Sequence, residues 1–107
     1  MKDKANIEKI IKYATKIMKY MNGIKTFEEF ARNDEKIDAV ILNLKQIGET
    51  AKKLSDASKS LYQTIKWPSI IGLRNMISHD YEGIRLNIIY DIATKNIPEL
   101  SVLLKSI

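Results

Sequence analysis

The sequence predicts an all-α protein, an up-and-down antiparallel bundle of four to five main helices. Of its 107 residues only 4 are glycine, 2 are proline and 7% are aromatic, so the residues typical of turns and strands are scarce. Apolar residues recur at three- and four-residue steps along most of the chain, which is the period of an amphipathic helix. Residues 1–107 suffice for one domain with a modest core, and we expect a single domain.

The first predicted helix runs from about Lys4 to Asn22. Asp3 or Asn6 is a candidate for its N-cap, and Gly23 supplies its stop. Its apolar seam is formed by Ile7, Ile10, Ile11, Ala14, Ile17, Met18 and Met21.

Four lysines recur on the outer side of this helix, at positions that share one face: Lys9, Lys12, Lys16 and Lys19. Charged outer faces are the rule, so a solvated surface accounts for them. The alternative interpretation is a track for the phosphate backbone of RNA. The net charge of +5 suits a polyanion partner but is also common on proteins that bind none.

A capping box opens a short helix at Thr26, with Glu29 reaching back and the helix ending near Arg32. Phe27 and Phe30 are expected to attach this helix to the core. The short connection implies that the two long helices on either side of it are antiparallel.

Asn33 is the predicted N-cap of the second long helix. Gly48, inside this helix, predicts close approach of another backbone, because glycine is unfavourable there without such a reason. Glu49 is either a surface charge or part of a site. The apolar seam comprises Ile37, Val40, Ile41, Leu44, Ile47, Ala51 and Leu54.

Residues 55–66 read as a connector with one helical turn, anchored at short range by Leu61, Tyr62 and Ile65. Trp67 and Pro68 then begin a central helix, since proline is tolerated in a first turn, and Gly83 is expected to end it.

The tail resumes the helical period through Leu86, Ile89, Ala93 and Ile97. Pro98 either kinks this helix or begins a last one. The apolar positions beyond it are Leu100, Leu103, Leu104 and Ile107.

The central helix concentrates rare residue types, since it holds the only tryptophan, the only histidine and an arginine. With Ile70 set at zero and about 100° per residue, Leu73 and Ile77 share its buried side. By the same count Arg74 lies near 40° and His79 near 180°, so His79 points away from the core.

Arg74 and His79 are therefore about 140° apart on a straight helix. The long side chain of Arg74 and fraying of the helix end near His79 would each bring the two functional groups closer together. A second copy of the chain offers another solution, because a two-fold interface brings the same patch together from both subunits.

Such a cleft suits metal-free cleavage of RNA. One imidazole takes the proton of a ribose 2′-hydroxyl, a second protonates the leaving 5′-oxygen, and arginine stabilises charge on phosphorus. One histidine and no cysteine give no cluster of metal ligands, and we expect no metal or cofactor.

The spacing of Arg74, His79 and Tyr81 resembles the R-x-x-x-x-H-x-Y signature of the HEPN superfamily, in its HepT branch. The resemblance covers nearly the whole chain. It extends to Thr26-Phe27-Glu28-Glu29-Phe30, Asn43-Leu44, Ile47-Gly48-Glu49, Trp67, Ile70-Ile71-Gly72-Leu73-Arg74-Asn75 and Leu100 after Ile97-Pro98-Glu99.

This resemblance implies a helical bundle that forms a homodimer through the motif region and is the ribonuclease toxin of a toxin–antitoxin module. Arg74 and His79 would be the catalytic pair, with Asn75 supporting. The partner implied is an MNT-type nucleotidyltransferase antitoxin, which attaches AMP to Tyr81. The alternatives are a non-catalytic binding module that docks and is AMPylated by the nucleotidyltransferase, and a structural dimer whose basic face binds nucleic acid weakly.

The absence of cysteine and of a signal-peptide or membrane-spanning apolar run predicts a protein of the reducing cytoplasm that does not engage a membrane.

Overall fold

The computed structural model describes residues 2–79 and 85–106, and the side chains of residues 3–73 and 85–106. Both ranges are helical with short connections and contain no strand, which confirms the all-α prediction. The helices are α1 (Lys2–Met21), α2 (Phe27–Ala31), α3 (Asp34–Lys52), α4 (Asp56–Leu61), α5 (Trp67–His79), α6 (Leu86–Asp91) and α7 (Ile97–Lys105), with a π-helical turn at Ile92–Asn96.

The two longest helices, α1 and α3, form the centre of an antiparallel bundle. Helix α5 packs against α3, while α7 packs against α1. The apolar seams predicted for the long helices are confirmed, because every seam residue of α3 is buried and those of α1 are buried or half-buried. Side chains with no exposed surface include Ile10, Ile17, Phe30, Val40, Leu44, Ile47, Ile89 and Ile97.

The start of α1 differs from the prediction, whereas its end agrees. The helix begins at Lys2, so Asp3 and Asn6 lie inside it and neither is its N-cap. The Asp3 carboxylate instead accepts hydrogen bonds from Ser55, 52 residues along the chain, a partner that no local pattern indicates. Gly23 follows the helix with a φ of 89°, a conformation that side chains strongly disfavour.

The predicted capping box of α2 is confirmed in a slightly shifted form. The backbone N–H of Glu29 donates to Thr26 Oγ1 at 3.2 Å. The Glu29 carboxylate accepts from the backbone N–H of Lys25 at 2.9 Å, one residue earlier than in the standard box.

Aromatic contacts attach α2 to α6. The sequence predicts that Phe27 and Phe30 attach α2 to the core, and the structure confirms this fully for Phe30 and in part for Phe27. Phe30 is fully buried. Phe27 is half-buried and meets the ring of Tyr90 edge-on, with centroids 5.8 Å apart. Phe30 contacts the same ring at 5.8 Å, so Tyr90 is the shared partner on α6.

Helix α3 is capped as predicted and is buried over an unusually wide face. The Asn33 side chain accepts from the backbone N–H of Lys36 at 3.1 Å. Asn43, Gly48 and Thr50 are buried together with the apolar seam. The Asn43 amide donates to the carbonyl of Ala39 at 2.8 Å, which satisfies one polar group of a side chain in the bundle interior.

The connector contains the single short helix that the sequence predicted, α4. Ser55 caps it by accepting from the backbone N–H of Ser58 at 3.2 Å. Of the three predicted anchors, Ile65 is buried and Tyr62 half-buried. Leu61 is 61% exposed, so its assignment as an anchor is wrong.

The tail is one continuous helical rod in which Pro98 is accommodated by a π-helical turn. Proline has no N–H, and its ring conflicts with the carbonyl four residues earlier, that of Thr94. Just before it, the N–H of Ile97 donates to the carbonyl of Ile92, five residues back. The wider turn lets the rod continue through the proline and keeps α7 against α1.

Within the part of the chain that the structure describes, no helix is both long and apolar enough to cross a bilayer.

Replacing Gly23 by alanine should lower the free energy of unfolding by about 1 kcal/mol, because the added Cβ penalises the positive φ. Gly72→Ala is the matched control: a Cβ there meets no atom within 4 Å, and alanine favours a helix interior. Thermal unfolding followed by circular dichroism should show opposite signs for the two variants. Equal effects would contradict this assignment of Gly23.

Candidate functional site

Helix α5 carries most of the residues that the sequence singles out. The structure describes the helical backbone at Arg74, Asn75 and His79, whereas the side chains of these residues fall outside the described part. Tyr81 and the predicted stop at Gly83 lie outside the described residues altogether. The five-residue step from Arg74 to His79 is a rise of about 7.5 Å along the axis, with a rotation of about 140°.

The first half of α5 is attached to the bundle at two points. Leu73 is buried where α5 packs on α3, on the side that the angular count predicts. Trp67, the first residue of α5, is only 6% exposed, and its indole N–H donates to the carbonyl of Lys59 at 3.2 Å. The ring of Tyr62 meets the indole edge-on at a centroid distance of 6.4 Å. The start of α5 is therefore tied to α4.

Helix α4 is in turn tied to the first turn of α1 through Asp3. One carboxylate oxygen of Asp3 accepts from the backbone N–H of Ser55 at 3.3 Å. The other accepts from the hydroxyls of Ser55 and Ser58, the latter at 2.5 Å. Ser58 is 4% exposed and is the buried residue of α4. We call this contact, formed by Asp3, Ser55 and Ser58, the Asp3 clamp.

Hydrogen bonds lower the pKa of the Asp3 carboxyl, chiefly the one from the Ser55 hydroxyl and next the one from Ser58. Because the folded pKa lies below the unfolded one, the clamp stabilises the fold fully above the unfolded pKa. That stabilisation is lost as the pH falls through the lowered folded pKa. The clamp is therefore intact at neutral pH.

An open groove of about 450 Å³ lies between the start of α5, the π-helical turn and α7. Apolar side chains such as Ile70 and Leu100 line it, with Lys66 and Glu99 among its polar residues. The groove has room for a small ligand, and the lining residues that the structure describes include no cluster of catalytic groups.

The four lysines of α1 form the stripe that the sequence predicts. Lys9, Lys12, Lys16 and Lys19 are all exposed, on the side opposite the buried Ile10, Ala14 and Ile17. No ion pair joins any of them to a carboxylate in the part of the chain that the structure describes. The stripe extends over about 15 Å of helix, since ten residues separate its ends.

The structure thus gathers the lysines on α1 and places the Arg74 and His79 positions on α5, a helix that packs on α3. Glu49, left open by the sequence, is half-buried and has an interaction partner. The sequence does not predict two of the observed contacts. These are the hydrogen bonds that Asp3 accepts from Ser55 and Ser58, and the one that the Lys59 carbonyl accepts from Trp67. Both join segments that are apart in sequence, so periodicity carries no signal for them.

Comparison with known proteins gives a consistent result. The family model described as Ribonuclease HepT-like matches residues 10–107. A protein of Caldanaerobacter subterraneus subsp. tengcongensis, named as an RNase, is 30% identical over 94% of this chain and 89% of its own length. An RNase-named protein of Methanocaldococcus jannaschii is 27% identical over 91% of this chain and 88% of its own.

A protein of Thermococcus cleftensis that bears the name ribonuclease HepT is 30% identical over 69% of this chain and 67% of its own length. No solved structure matches the chain.

The helical fold and the family match together define an RNA endonuclease of the HEPN type. The chain belongs to the HepT-like ribonuclease family, which confirms the resemblance read from the Arg74, His79 and Tyr81 pattern.

Proposed function

We propose that this chain is a metal-independent endoribonuclease toxin that acts as a homodimer. The observation that carries the proposal is the HepT-like family match over residues 10–107, which spans Arg74, His79 and Tyr81 in their signature spacing. These residues follow the part of α5 that Trp67 and Leu73 attach to the bundle.

The reaction is cleavage by the neighbouring 2′-hydroxyl. The 2′-oxygen attacks phosphorus and gives its proton to one imidazole, while the P–O5′ bond breaks and the 5′-oxygen receives a proton from an imidazolium. The products are a 2′,3′-cyclic phosphate and a 5′-hydroxyl. Arg74 stabilises the charge that builds on the phosphate oxygens, with Asn75 supporting it.

The dimer follows from the number of histidines. The chain has one, and the reaction uses a base and an acid at the same time. A two-fold axis beside α5 brings together two copies of His79 and two of Arg74. An unperturbed imidazole pKa near 6.5 suits both roles close to neutral pH.

The proposed biological setting is a module of two genes. The partner is an MNT-type nucleotidyltransferase, which neutralises the toxin by transferring AMP from ATP to Tyr81. The tyrosine oxygen attacks the α-phosphorus, pyrophosphate leaves and the phenolic proton is lost. The added phosphate repels the RNA backbone and offers a ligand to Arg74, so the cleft is blocked.

The lysine stripe of α1 is proposed as a secondary contact for the RNA backbone. Four exposed lysines without described carboxylate partners attract phosphate through a term that does not depend on sequence. They lie on a helix other than α5, so they contribute to binding and not to the chemical step.

Replacing either His79 or Arg74 by alanine should abolish cleavage of labelled total RNA in EDTA and relieve growth inhibition on expression. Each variant removes a group used only in bond making and breaking, so helicity and unfolding temperature should stay unchanged. Arg85→Ala is the matched control, since Arg85 is exposed and lies outside the motif. Normal cleavage by purified His79→Ala would sink the proposal. An intact dimer that cuts no RNA but accepts AMP would favour the binding-module alternative.

Incubation with an MNT-type nucleotidyltransferase and ATP should add one AMP to the wild-type chain and none to Tyr81→Phe. The substitution removes the attacking oxygen and keeps the ring. Tyr20→Phe serves as the control, because Tyr20 is a half-buried tyrosine of α1. Intact mass spectrometry separates the outcomes, and modification of Tyr81→Phe at the wild-type level would exclude Tyr81 as the acceptor.

Changing Lys12 and Lys16 together to glutamine should weaken binding of a 2′-O-methyl RNA oligonucleotide, which lacks the attacking hydroxyl. The slope of log affinity against log salt should fall by about 1.4, because about 0.7 is expected per contact with a single strand. The control changes the exposed Lys52 and Lys53 in the same way. Equal losses in the two double variants would mean that the stripe is only part of a diffuse positive surface.

A further inference from the structure

Helix α4 has little apolar packing of its own. It is six residues long, Ser58 is its buried residue, and Leu61 at its end is 61% exposed. Isolated helices shorter than about 12 residues are marginal in water, so a helix of this length depends on contacts with the rest of the protein. The contacts that the structure provides are mainly polar, at its beginning and near its end.

The contact at the beginning of α4 is the Asp3 clamp. Ser55 Oγ accepts from the backbone N–H of Ser58 and donates to Asp3, so the hydroxyl that caps the helix is itself held by α1. The Ser58 hydroxyl and the Ser55 N–H donate to the same carboxylate. A charged acceptor makes these bonds stronger than neutral ones.

The contact near the end of α4 leads to α5. The carbonyl of Lys59, one residue after Ser58, accepts from the indole N–H of Trp67 at 3.2 Å. The backbone N–H of Tyr62 donates to the same carbonyl at 3.2 Å, and the Tyr62 ring packs on the indole. Trp67 also packs in the apolar core, so α4 fixes the direction of its indole N–H and shares in holding its position.

We propose that Asp3 is a positioning residue. By holding α4 through Ser55 and Ser58, it fixes the Lys59 carbonyl that accepts from Trp67 and so adjusts the first turn of α5 on its α3 surface. Since α5 carries Arg74 and His79, the first turn of α1 would act on the proposed active site through α4 and Trp67. The predicted effect of Asp3 on RNA cleavage rests on the proposed function. The predicted effect of Asp3 on the surroundings of Trp67 is independent of that function.

The test compares Asp3→Asn with wild type by two independent measurements. Trp67 is the only tryptophan, so its fluorescence reports on this position alone. Asp3→Asn should shift the emission to longer wavelength, because release of α4 exposes the indole. With labelled total RNA in EDTA, kcat should fall about tenfold at an unchanged KM, since small displacements of catalytic groups are costly.

Asp56→Asn is the matched control, because Asp56 is an exposed carboxylate in the first turn of α4 and lies outside the clamp. It should leave emission and kcat unchanged. Asp3→Glu should restore part of both, since it keeps the charged acceptor. An unshifted emission in Asp3→Asn overturns the proposal whether or not the protein cleaves RNA. If wild type cleaves RNA and Asp3→Asn shows the emission shift with the wild-type kcat, the proposed effect of Asp3 on the active site is wrong.

A double-mutant cycle with Trp67→Phe distinguishes action through Trp67 from a general loss of stability in Asp3→Asn. Trp67→Phe removes the indole donor and keeps an aromatic ring, so it should reduce kcat on its own. If both residues act through α4, the double variant should be no worse than the poorer single one. Fully additive losses would show that Asp3 stabilises the protein without acting through Trp67.

Discussion

The wide buried face of α3 is the constraint on which the rest of the bundle depends. A helix that packs against a single neighbour needs one apolar stripe, but α3 packs against both α1 and α5. Its burial accordingly extends beyond the seam to Asn43, Gly48 and Thr50. Burial of Asn43 is tolerable because its amide donates to the carbonyl of Ala39 within the helix. Helix α5 thereby receives a firm surface for its first half.

Around this centre, two kinds of contact hold the outer helices. The tail rod and α2 are held by apolar and aromatic packing, with Tyr90 between Phe27 and Phe30. The α4 region is held largely by hydrogen bonds, which it donates to Asp3 at one end and accepts from Trp67 near the other. The first half of α5 is thus supported both by its packing on α3 and by a polar contact with α4, which is held by one carboxylate on α1.

Much of the fold was predictable because helix signals are local. The stripe of Ile10, Ala14 and Ile17, the cap at Asn33 and the stop at Gly23 each depend on residues at most four positions apart. The sequence predicts either a kink or a new helix at Pro98, and it does not predict the π-helical turn. Pro98 dictates that the regular ladder breaks, but the packing of α7 on α1 decides that the rod continues.

The sequence by itself determined the helical class, the ends of the first two long helices to within a few residues, and the family, through the Arg74, His79 and Tyr81 spacing together with the motifs along the rest of the chain. Only the tertiary structure decided that the Asp3 carboxylate accepts hydrogen bonds from the start of α4 and does not cap α1. The same holds for the hydrogen bond from Trp67 to the Lys59 carbonyl. The physical reason is the distance along the chain over which each kind of interaction acts. Periodicity and capping act within a turn or two, whereas the acceptor for a distant hydroxyl or indole depends on how whole helices pack.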